Sequence, residues 1–560
     1  MHEDLFNISK IKKAHLIGIG GIAVSADAKF LIGIGKIVTG SDMHDSEIVR
    51  EVEKKGAKIF IGHKASNLDE DADLVIYSPA VPFNNVEREK ARKSGIREMS
   101  HTEFLGYLSR EMKTIAVSGT NGKSTTTAML GLILEKAGVD PTVILGSRVP
   151  WFAEGNLRAG AGWRDRYKLA HGKVPLRQRR TGVPQYCGTT SFIKGGKGIR
   201  AQNGIFVVEG CEYKAGMMEL NPEMIILTNI EEDHLDYYKD LKDIKRVFKK
   251  YVKKAEKSGS VVYNADDKNS AEVMKGYAGK KVGYGVEKEL KIKNQELGNK
   301  KFPPEADLLQ RRISLWLKPL AEEIGEKRSP NVIAKDIRIK NKRQCFEVCQ
   351  NGKKLGEIKL RVPGVFNVYN ALAAAAAALE IGVEFKIIKK ALEKFKGIWR
   401  RFEIAGDYNG AVIISDYAHH PTAIRGTINA AREFYPKRRI IAVFQPHSHN
   451  RTRKLFNEFV ESFDEADFVV LQEVYDVEGR ENKNDKISGR ELADAVRQRR
   501  ISCRDEACLR RQALPRLRRA TEDVIYAKDL KETGKILRKE IKKNDIVLLM
   551  GAGDIFKLKV

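Results

Sequence analysis

One short segment constrains the fold of this chain more than any other. The apolar run Thr114–Val117 predicts a buried strand, and it leads through Ser118 into Gly119-Thr120-Asn121-Gly122-Lys123-Ser124-Thr125 and a predicted helix over Thr126–Ala137. A glycine-rich turn between a buried strand and a helix is the build of a phosphate-binding loop. Backbone N–H groups would cradle the phosphates, Lys123 would neutralise their outer oxygens, and Ser124 could reach Mg²⁺. A glycine turn that arose by chance is the alternative. The segment favours an α/β fold with a nucleotide site.

A second glycine turn lies near the N-terminus. Ala14–Ile19 reads as a strand, Gly20-Gly21 as the turn before a helix, and Lys36–Thr39 as the next strand, which ends close to Asp42. Such a turn offers N–H groups to a phosphate, and an acid after the second strand can hold a ribose hydroxyl. Glycine turns also serve simple packing. Later short strands alternate with helical stretches, so we expect a parallel sheet that closes near Arg110.

Two acidic clusters follow predicted strands of the second unit. Glu209–Glu212 comes directly after Gly204–Val208, and Thr228–Asp236 follows Met224–Leu227. The carboxyl ends of parallel strands are where α/β sheets build their sites. Carboxylates there, with His234, suit Mg²⁺ bound mainly through phosphates and water. A solvated acidic loop is the alternative reading. In combination with the phosphate loop, the clusters favour a metal site.

A third unit begins after Arg401 and shows the same placement of polar residues. Asp416–Thr422 follows a strand, as does Phe444–His447 with Arg451 nearby, and the last strand, Ile546–Met550, leads into a further glycine turn. We therefore expect the third unit to face the same site as the second.

Net charge points to anionic partners. The chain carries 101 Lys and Arg against 74 Asp and Glu, a formal charge of +27. Residues 161–203 hold ten Lys or Arg and one acid, and residues 497–519 hold nine Arg and two acids. Much of the excess thus lies in two stretches. A hydrophobic content of 42% excludes an intrinsically disordered chain.

Cysteine usage and hydropathy indicate the compartment. Six cysteines in 560 residues do not make a disulfide framework. No apolar run approaches the roughly 18 residues of a membrane-spanning helix. We therefore expect a cytoplasmic protein without membrane insertion.

Taken together, these motifs resemble the Mur ligase family of ATP-dependent, amide-forming enzymes. The resemblance covers nearly the whole chain in family order, through His15–Ile22, Gly119–Thr125, Glu209–Tyr213, Thr228–His234, Pro363-Gly364 with Asn367 and Asn370, Trp399–Glu403, Asp416–Thr422, Phe444–His447 and Gly551–Asp554. It implies three domains: a Rossmann-like N-terminal domain over 1–110, a P-loop central ATPase domain with a mainly parallel sheet over 111–401, and a Rossmann-like C-terminal domain over 402–560.

The resemblance also implies roles for individual residues. In the first domain it places Gly18, Gly20 and Gly21 at a diphosphate and Asp42 near the nucleotide of a UDP-sugar. ATP would lie on Gly119–Thr125 with Asn229, Arg401 and Asp416. Mg²⁺ would lie among Ser124, Glu209 and His234. The acceptor region would hold Tyr417, His419, His447 and Arg451. The expected catalytic residues are Lys123, Glu209, His234, His419 and Arg451.

The implied reaction joins L-alanine to the carboxylate of UDP-N-acetylmuramate, a peptidoglycan precursor, through an acyl phosphate, with ADP and phosphate as products. Ser448 stands where the family usually has an arginine, which leaves the choice of amino acid open.

One alternative function is that of a ligase that attaches a recycled murein peptide to the same sugar nucleotide. Folate-polyglutamate enzymes fit the phosphate loop but not the first domain. Another alternative is a catalytically impaired basic scaffold that binds nucleic acid; the intact Lys123, Glu209 and His234 disfavour it. The oligomeric state stays open.

Three stretches match nothing in the family: about 161–203, 296–330 and 497–520. An Arg-rich RNA-binding or assembly arm is one reading. Because aromatic residues are sparse among the basic ones, we favour inert insertions and do not expect a nucleic-acid partner.

Overall fold

Three sheets with flanking helices make up the computed structural model. It describes residues 6–160, 204–235, 237–255, 259–287, 330–476, 486–509 and 523–559, with the backbone alone over 503–509.

The N-terminal sheet is parallel throughout. Its elements are β1 (Lys13–Ile17), α1 (Ile22–Gly33), β2 (Ile37–Asp42), α2 (Glu47–Lys54), β3 (Lys58–Ile61), β4 (Leu74–Tyr77), α3 (Val86–Lys93), β5 (Arg97–Ser100) and α4 (His101–Glu111). The strand order is β3-β2-β1-β4-β5. The order changes direction at β1, so the turn between β1 and α1 opens at a topological switch point, where such sheets bind ligands.

The central sheet has ten strands. Its elements are β6 (Lys113–Ser118), α5 (Lys123–Lys136), β7 (Thr142–Ile144), β8 (Leu157–Arg158), β9 (Ile205–Gly210), β10 (Met224–Leu227), α6 (Leu241–Val252), β11 (Ser260–Asn264), α7 (Lys268–Val273), β12 (Lys280–Val286), β13 (Val332–Lys340), β14 (Arg343–Gln350), β15 (Lys353–Leu360), α8 (Val365–Glu380) and α9 (Phe385–Leu392). The order is β15-β14-β13-β12-β11-β10-β6-β9-β7-β8. From β13 to β7 neighbouring strands are parallel, and β8, β14 and β15 add antiparallel edges.

The C-terminal sheet has six strands. Its elements are β16 (Glu403–Tyr408), β17 (Ala411–Asp416), α10 (Pro421–Phe434), β18 (Ile440–Phe444), α11 (His449–Lys454), α12 (Phe456–Glu461), β19 (Phe468–Gln472), α13 (Gly489–Leu509), β20 (Val524–Ala527), α14 (Leu530–Glu540) and β21 (Ile546–Met550). The order is β16-β17-β21-β18-β19-β20, and only the β16–β17 pair is antiparallel among the described strands.

Apolar cores lie on both faces of these sheets. One face of the central sheet packs against α5, α8 and α9. The other face shares a continuous core with the N-terminal sheet, in which Leu16 and Phe104 join Phe206 and Phe248. Ala371 and the alanines 373–378 of α8 are all buried, because small side chains allow the helix to pack closely.

The α/β class with three sheet groups confirms the predicted fold. Residues 161–203 and nearly all of 296–330 lie outside the described residues. The prediction of an insertion at about 497–520 is not met in its first part, because residues 497–509 continue the helix α13. Buried Leu492, Ala493 and Val496 anchor the start of that helix. Among the described residues, no helix has the length and apolarity to cross a membrane.

Candidate active site

The loop between β6 and α5 needs glycine at two positions. Gly119 and Gly122 have φ of +131° and +84°. A Cβ on Gly119 would lie 2.2 Å from the Thr228 hydroxyl, and one on Gly122 would lie 2.3 Å from Oδ1 of Asn370. Only glycine combines this backbone with so close an approach. The loop is therefore fixed against both the β10 loop and α8.

Asn229, predicted as a nucleotide contact, braces the same loop. Its carbonyl accepts the Thr120 N–H at 2.9 Å, and its Oδ1 accepts the Asn121 N–H at 2.9 Å. The Thr228 hydroxyl donates to the Asn121 carbonyl at 2.7 Å. The phosphate loop and the strand end of β10 thus form one rigid unit.

Lys123 begins α5 and points into a buried cluster of charges. Its Nζ donates to the carbonyls of Gly119 and Thr120 at 2.6 and 3.0 Å and lies 2.8 Å from Oε2 of Glu212. Burial alone would lower the pKa of the ammonium, but Glu212 with the other nearby acids outweighs burial and raises it. Lys123 is therefore a fixed cation beside the phosphate loop.

Glu212 joins Lys123 to His234. His234 Nε2 lies 3.4 Å from Oε1 of Glu212. Burial would raise the pKa of Glu212, yet Lys123 and His234 hold it below its ordinary value. Donor atoms of Glu212, Asp233 and His234 all lie within 4.8 Å of one another, so this group could hold a metal ion. His234 was predicted as a ligand; Glu212 and Asp233 were not.

Glu209, the other predicted metal ligand, is the penultimate residue of β9. Its Oε1 accepts the Gly146 N–H at 2.9 Å. Burial raises the pKa of Glu209, and the Ser124 hydroxyl, the Gly146 N–H, Lys123 and Arg401 act against burial. The structure thus brings the predicted Ser124 and Glu209 together, with Lys123 between this pair and the Glu212 group.

A cavity of about 350 Å³ opens beside the phosphate loop, between the central and C-terminal sheets. The predicted nucleotide contacts Asn229, Arg401 and Asp416 all line it, together with Gly122, Ser124 and Thr125. Asp416 is held by N–H groups of Phe402 at 2.7 Å and Ala418 at 2.8 Å. Burial raises the pKa of Asp416, while Arg401 lowers it. The cavity is large enough for a small-molecule ligand.

Carboxyls line the same cavity. Glu231 lies 3.3 Å from Nδ1 of His420, across the boundary between the two sheets. Burial raises the pKa of Glu231 to about 7, and neighbouring Asp267 adds to the shift. Tyr369, which also lines the cavity, donates its hydroxyl to Asp266 at 3.0 Å.

The predicted acceptor residues gather at the strand ends of β17 and β18. His419 Nδ1 lies 2.9 Å from the Tyr417 carbonyl, and the His447 ring stacks on Tyr475 with centroids 5.6 Å apart. Burial, aided by Arg451, lowers the pKa of His419 well below its ordinary value, so this imidazole is neutral at pH 7. Arg451 crosses to the central domain, where Nη2 lies 2.6 Å from Oδ1 of Asp233.

The N-terminal glycine turn follows β1 of the N-terminal sheet, whereas the phosphate loop belongs to the central sheet. Gly18 has φ of +78°, and the N–H groups of Gly18 and Ile19 donate to the Ser41 carbonyl. The Gly20 N–H donates to Asp42 at 2.8 Å, and Gly21 precedes α1 without a side-chain cap. The turn and the predicted acid Asp42 are therefore in direct contact.

Sequence reasoning missed several residues of this site. Glu212 and Asp233 lie in the two acidic clusters that were predicted to favour a metal site, but neither received an individual role, because adjacency does not reveal which side chain faces the cluster. Asn370 touches Gly122 and lines the cavity. The signal that could have found Asn370 was its place in the motif of Pro363-Gly364 with Asn367, one of the segments that carry the family resemblance.

Family comparisons cover the three sheet regions in turn. The profile of the Mur ligase family, catalytic domain, matches residues 13–113. The Mur ligase middle domain matches 117–378, and the Mur ligase, glutamate ligase domain, matches 400–553.

Relatives and solved structures agree with these matches. The chain is 34% identical to a UDP-N-acetylmuramate–L-alanine ligase of Clostridium novyi, over 98% of this chain and 96% of that one. It is 32% identical to the ligase of the same name from Caldanaerobacter subterraneus, over 99% and 97%. The crystal structure of UDP-N-acetylmuramate-alanine ligase from Thermotoga maritima matches with a TM-score of 0.68 and 26% identity, over 97% and 96%. A murein peptide ligase of Psychrobacter arcticus, at 22% identity and a TM-score of 0.60 over 98% and 97%, shares the fold.

Proposed function

The chain belongs to the Mur ligase family, and we propose that it joins L-alanine to the carboxylate of UDP-N-acetylmuramate, coupled to the cleavage of ATP to ADP and phosphate. One observation carries this proposal: the phosphate loop, with Lys123 beside it, borders a cavity that is also lined by Arg401, at the end of the central domain, and by Asp416 of the C-terminal domain. A site shared by two domains suits a ligase that must exclude water from an activated intermediate. Relatives with this activity align over nearly the whole chain.

Each domain takes one part of the reaction. Residues 1–110 bind the sugar nucleotide, with Gly18, Gly20 and Gly21 at the diphosphate and Asp42 at the nucleotide. Residues 111–401 bind ATP on Gly119–Thr125, with Asn229 bracing the loop and contacting the nucleotide. Residues 402–560 supply Asp416 to the nucleotide, and Tyr417, His419, His447 and Arg451 to the acceptor.

Mg²⁺ fits the donors at the phosphate loop. Ser124 and Glu209 lie together beside Lys123, and His234 lies with Glu212 on its other side. Oxygen donors with few protein contacts suit Mg²⁺ that is bound mainly through phosphates. When bound, the ion would neutralise phosphate charge.

The reaction follows from these positions. A carboxylate oxygen of the muramyl group attacks the γ-phosphorus, the bond to ADP breaks, and an acyl phosphate forms. The free amine of L-alanine then attacks the acyl carbon, loses a proton, and expels inorganic phosphate that carries the former carboxylate oxygen. Lys123 stabilises charge on the transferred phosphoryl group, and Arg451 orients the acceptor.

Attachment of a recycled peptide to the same carboxylate is the rival reaction. Equal concentrations of L-alanine, glycine, L-serine and the murein tripeptide in one mixture would separate the two. We expect the alanyl product to dominate by mass spectrometry. Predominant tripeptide product would assign the chain to the recycling reaction.

Isotope transfer tests the intermediate. With ¹⁸O in the muramyl carboxylate, we expect one ¹⁸O atom in each phosphate released. Unlabelled phosphate would rule out an acyl phosphate. Because the label starts in the muramyl carboxylate, its appearance in phosphate does not depend on which amine accepts the acyl group.

A further inference from the structure

An ion pair joins the central and C-terminal domains at the acceptor end of the site. Arg451 donates through Nη2 at 2.6 Å and through Nε at 3.1 Å to Oδ1 of Asp233. Both partners are mostly buried, with 14% and 7% of the side chain exposed. The two residues lie 218 positions apart in the sequence. The pair therefore exists only when the two domains are docked.

Asp233 is anchored from the central domain as well. Its Oδ1 also accepts the N–H of His234 at 2.7 Å. The Asp233 carboxylate is thus held from two sides, by the His234 N–H of its own domain and by Arg451 of the C-terminal domain.

Hydrogen bonds fix the orientation of the Arg451 guanidinium. A guanidinium carries five N–H groups in a rigid plane. The Nε and Nη2 edge faces Asp233, and Nη1 donates to the His447 carbonyl at 3.3 Å. One N–H on each of Nη1 and Nη2 is left over from these three contacts, so both terminal nitrogens can still donate to a carboxylate.

Arg451 is the arginine that α11 turns towards this site, and Lys454 of the same helix donates to the Leu235 carbonyl at 3.3 Å. Ser448 caps α11 by accepting the Arg451 N–H at 3.4 Å, at the position where the family usually has a second arginine. Arg453 points elsewhere and donates to the Lys486 carbonyl at 3.2 Å. Recognition of an acceptor carboxylate by this helix therefore depends on one guanidinium.

We propose that Asp233 is a positioning residue for ligation: it holds Arg451 so that the two remaining N–H groups receive the carboxylate of the acceptor amino acid. The inference rests on the proposed function and extends it to a residue that contacts no substrate. Without Asp233, the long arginine side chain recovers rotational freedom and its orientation is lost.

Hydroxylamine separates this role from phosphoryl transfer. It is an amine nucleophile without a carboxylate, and it attacks the acyl phosphate to give a hydroxamate and phosphate. For Asp233→Asn we expect KM for L-alanine to rise about tenfold, with kcat/KM for hydroxylamine within about twofold of the unsubstituted enzyme. Retained hydroxamate formation also shows that the variant is folded.

Three companion variants sharpen the test. Arg451→Lys should raise KM for L-alanine similarly, and the double variant should lose no more than the larger single loss. Asp243→Asn is the matched control, since it removes the carboxylate that pairs with the exposed Arg246 on α6. It should leave the kinetic constants for both L-alanine and hydroxylamine unchanged.

Several outcomes would overturn the proposal. Equal losses with both acceptors would place Asp233 in phosphoryl transfer or metal binding. A lower KM for L-alanine would show that Asp233 competes with the substrate, and unchanged kinetics would remove it from acceptor binding. Failure of the proposed function is distinct, because the unsubstituted enzyme would then form hydroxamate but make no alanyl product.

Discussion

Single residues at the phosphate loop owe their chemistry to burial and to one or two charged neighbours. Lys123 lies between the loop carbonyls and Glu212, and Glu212 lies between Lys123 and His234. A buried charge is tolerated only when it is paired. The alternation of cation, anion and imidazole therefore keeps the cluster stable and ready for a phosphate.

Lys123→Ala tests the residue that is proposed to face the phosphates. We expect turnover to fall about 10³-fold, because the variant loses a fixed cation at the developing charge. The pKa of Glu212 should rise as its nearest cation disappears. Steady-state phosphate release measures the effect, and circular dichroism checks the fold.

Lys136→Ala is the control for this variant, since Lys136 ends the same helix and is largely exposed. Its turnover should match that of the unsubstituted enzyme. A Lys123→Ala enzyme with near-normal turnover would exclude the proposed role of the lysine.

Glu231→Gln tests the buried carboxyl of the cavity through pH. The pKa of Glu231 is about 7 in the folded protein and about 4.3 in an unfolded chain. Between these values the folded state binds more protons, so stability falls as pH rises. Glu231→Gln should therefore gain stability relative to the unsubstituted protein from pH 5 to pH 8, by about 1–3 kcal/mol. Urea unfolding at both pH values gives the difference. A difference that does not change with pH would contradict the assignment.

Strands and helices were predictable where a local pattern determines them. Met224–Leu227 and Ile546–Met550 match their predicted bounds, because each is an apolar run with polar turn residues at its end. The helix after the phosphate loop begins at Lys123, three positions earlier than predicted, since Gly122 in its left-handed conformation ends the turn at once.

The close packing of α8 gives a prediction at the level of elements. Ala375 is fully buried in the core that α8 shares with α5. Ala375→Leu should lower the free energy of unfolding by about 1–3 kcal/mol, because the core has no room for the larger side chain. Chemical denaturation measures the loss. Ala65→Leu, at an exposed position, is the control and should change stability little. A variant of Ala375 as stable as the control would show that α8 packs loosely.

Contacts between residues far apart in the chain could not be predicted from the sequence. The Lys123–Glu212 pair depends on the order of strands in the central sheet, and the Arg451–Asp233 pair depends on how two domains dock. No local pattern carries either piece of information. The motifs identified Lys123, His234 and Arg451, whereas Glu212 and Asp233 required the fold.

Excision of residues 161–203 gives a prediction for the whole molecule. Their flanking strands β8 and β9 lie on either side of β7, so the ends are about 10 Å apart and a five-residue Gly-Ser linker spans them. The shortened enzyme should keep kcat and both KM values within about threefold. A large loss of activity in a folded protein would assign the segment a role in catalysis.

Phosphate release from ATP shows whether this chain couples ATP cleavage to the ligation of L-alanine. The assay compares UDP-N-acetylmuramate alone, L-alanine alone and both together. We expect sustained release only when both substrates are present, in a one-to-one ratio with the alanyl product. Release that is independent of L-alanine, or no release with any acceptor from a folded enzyme, would contradict this expectation.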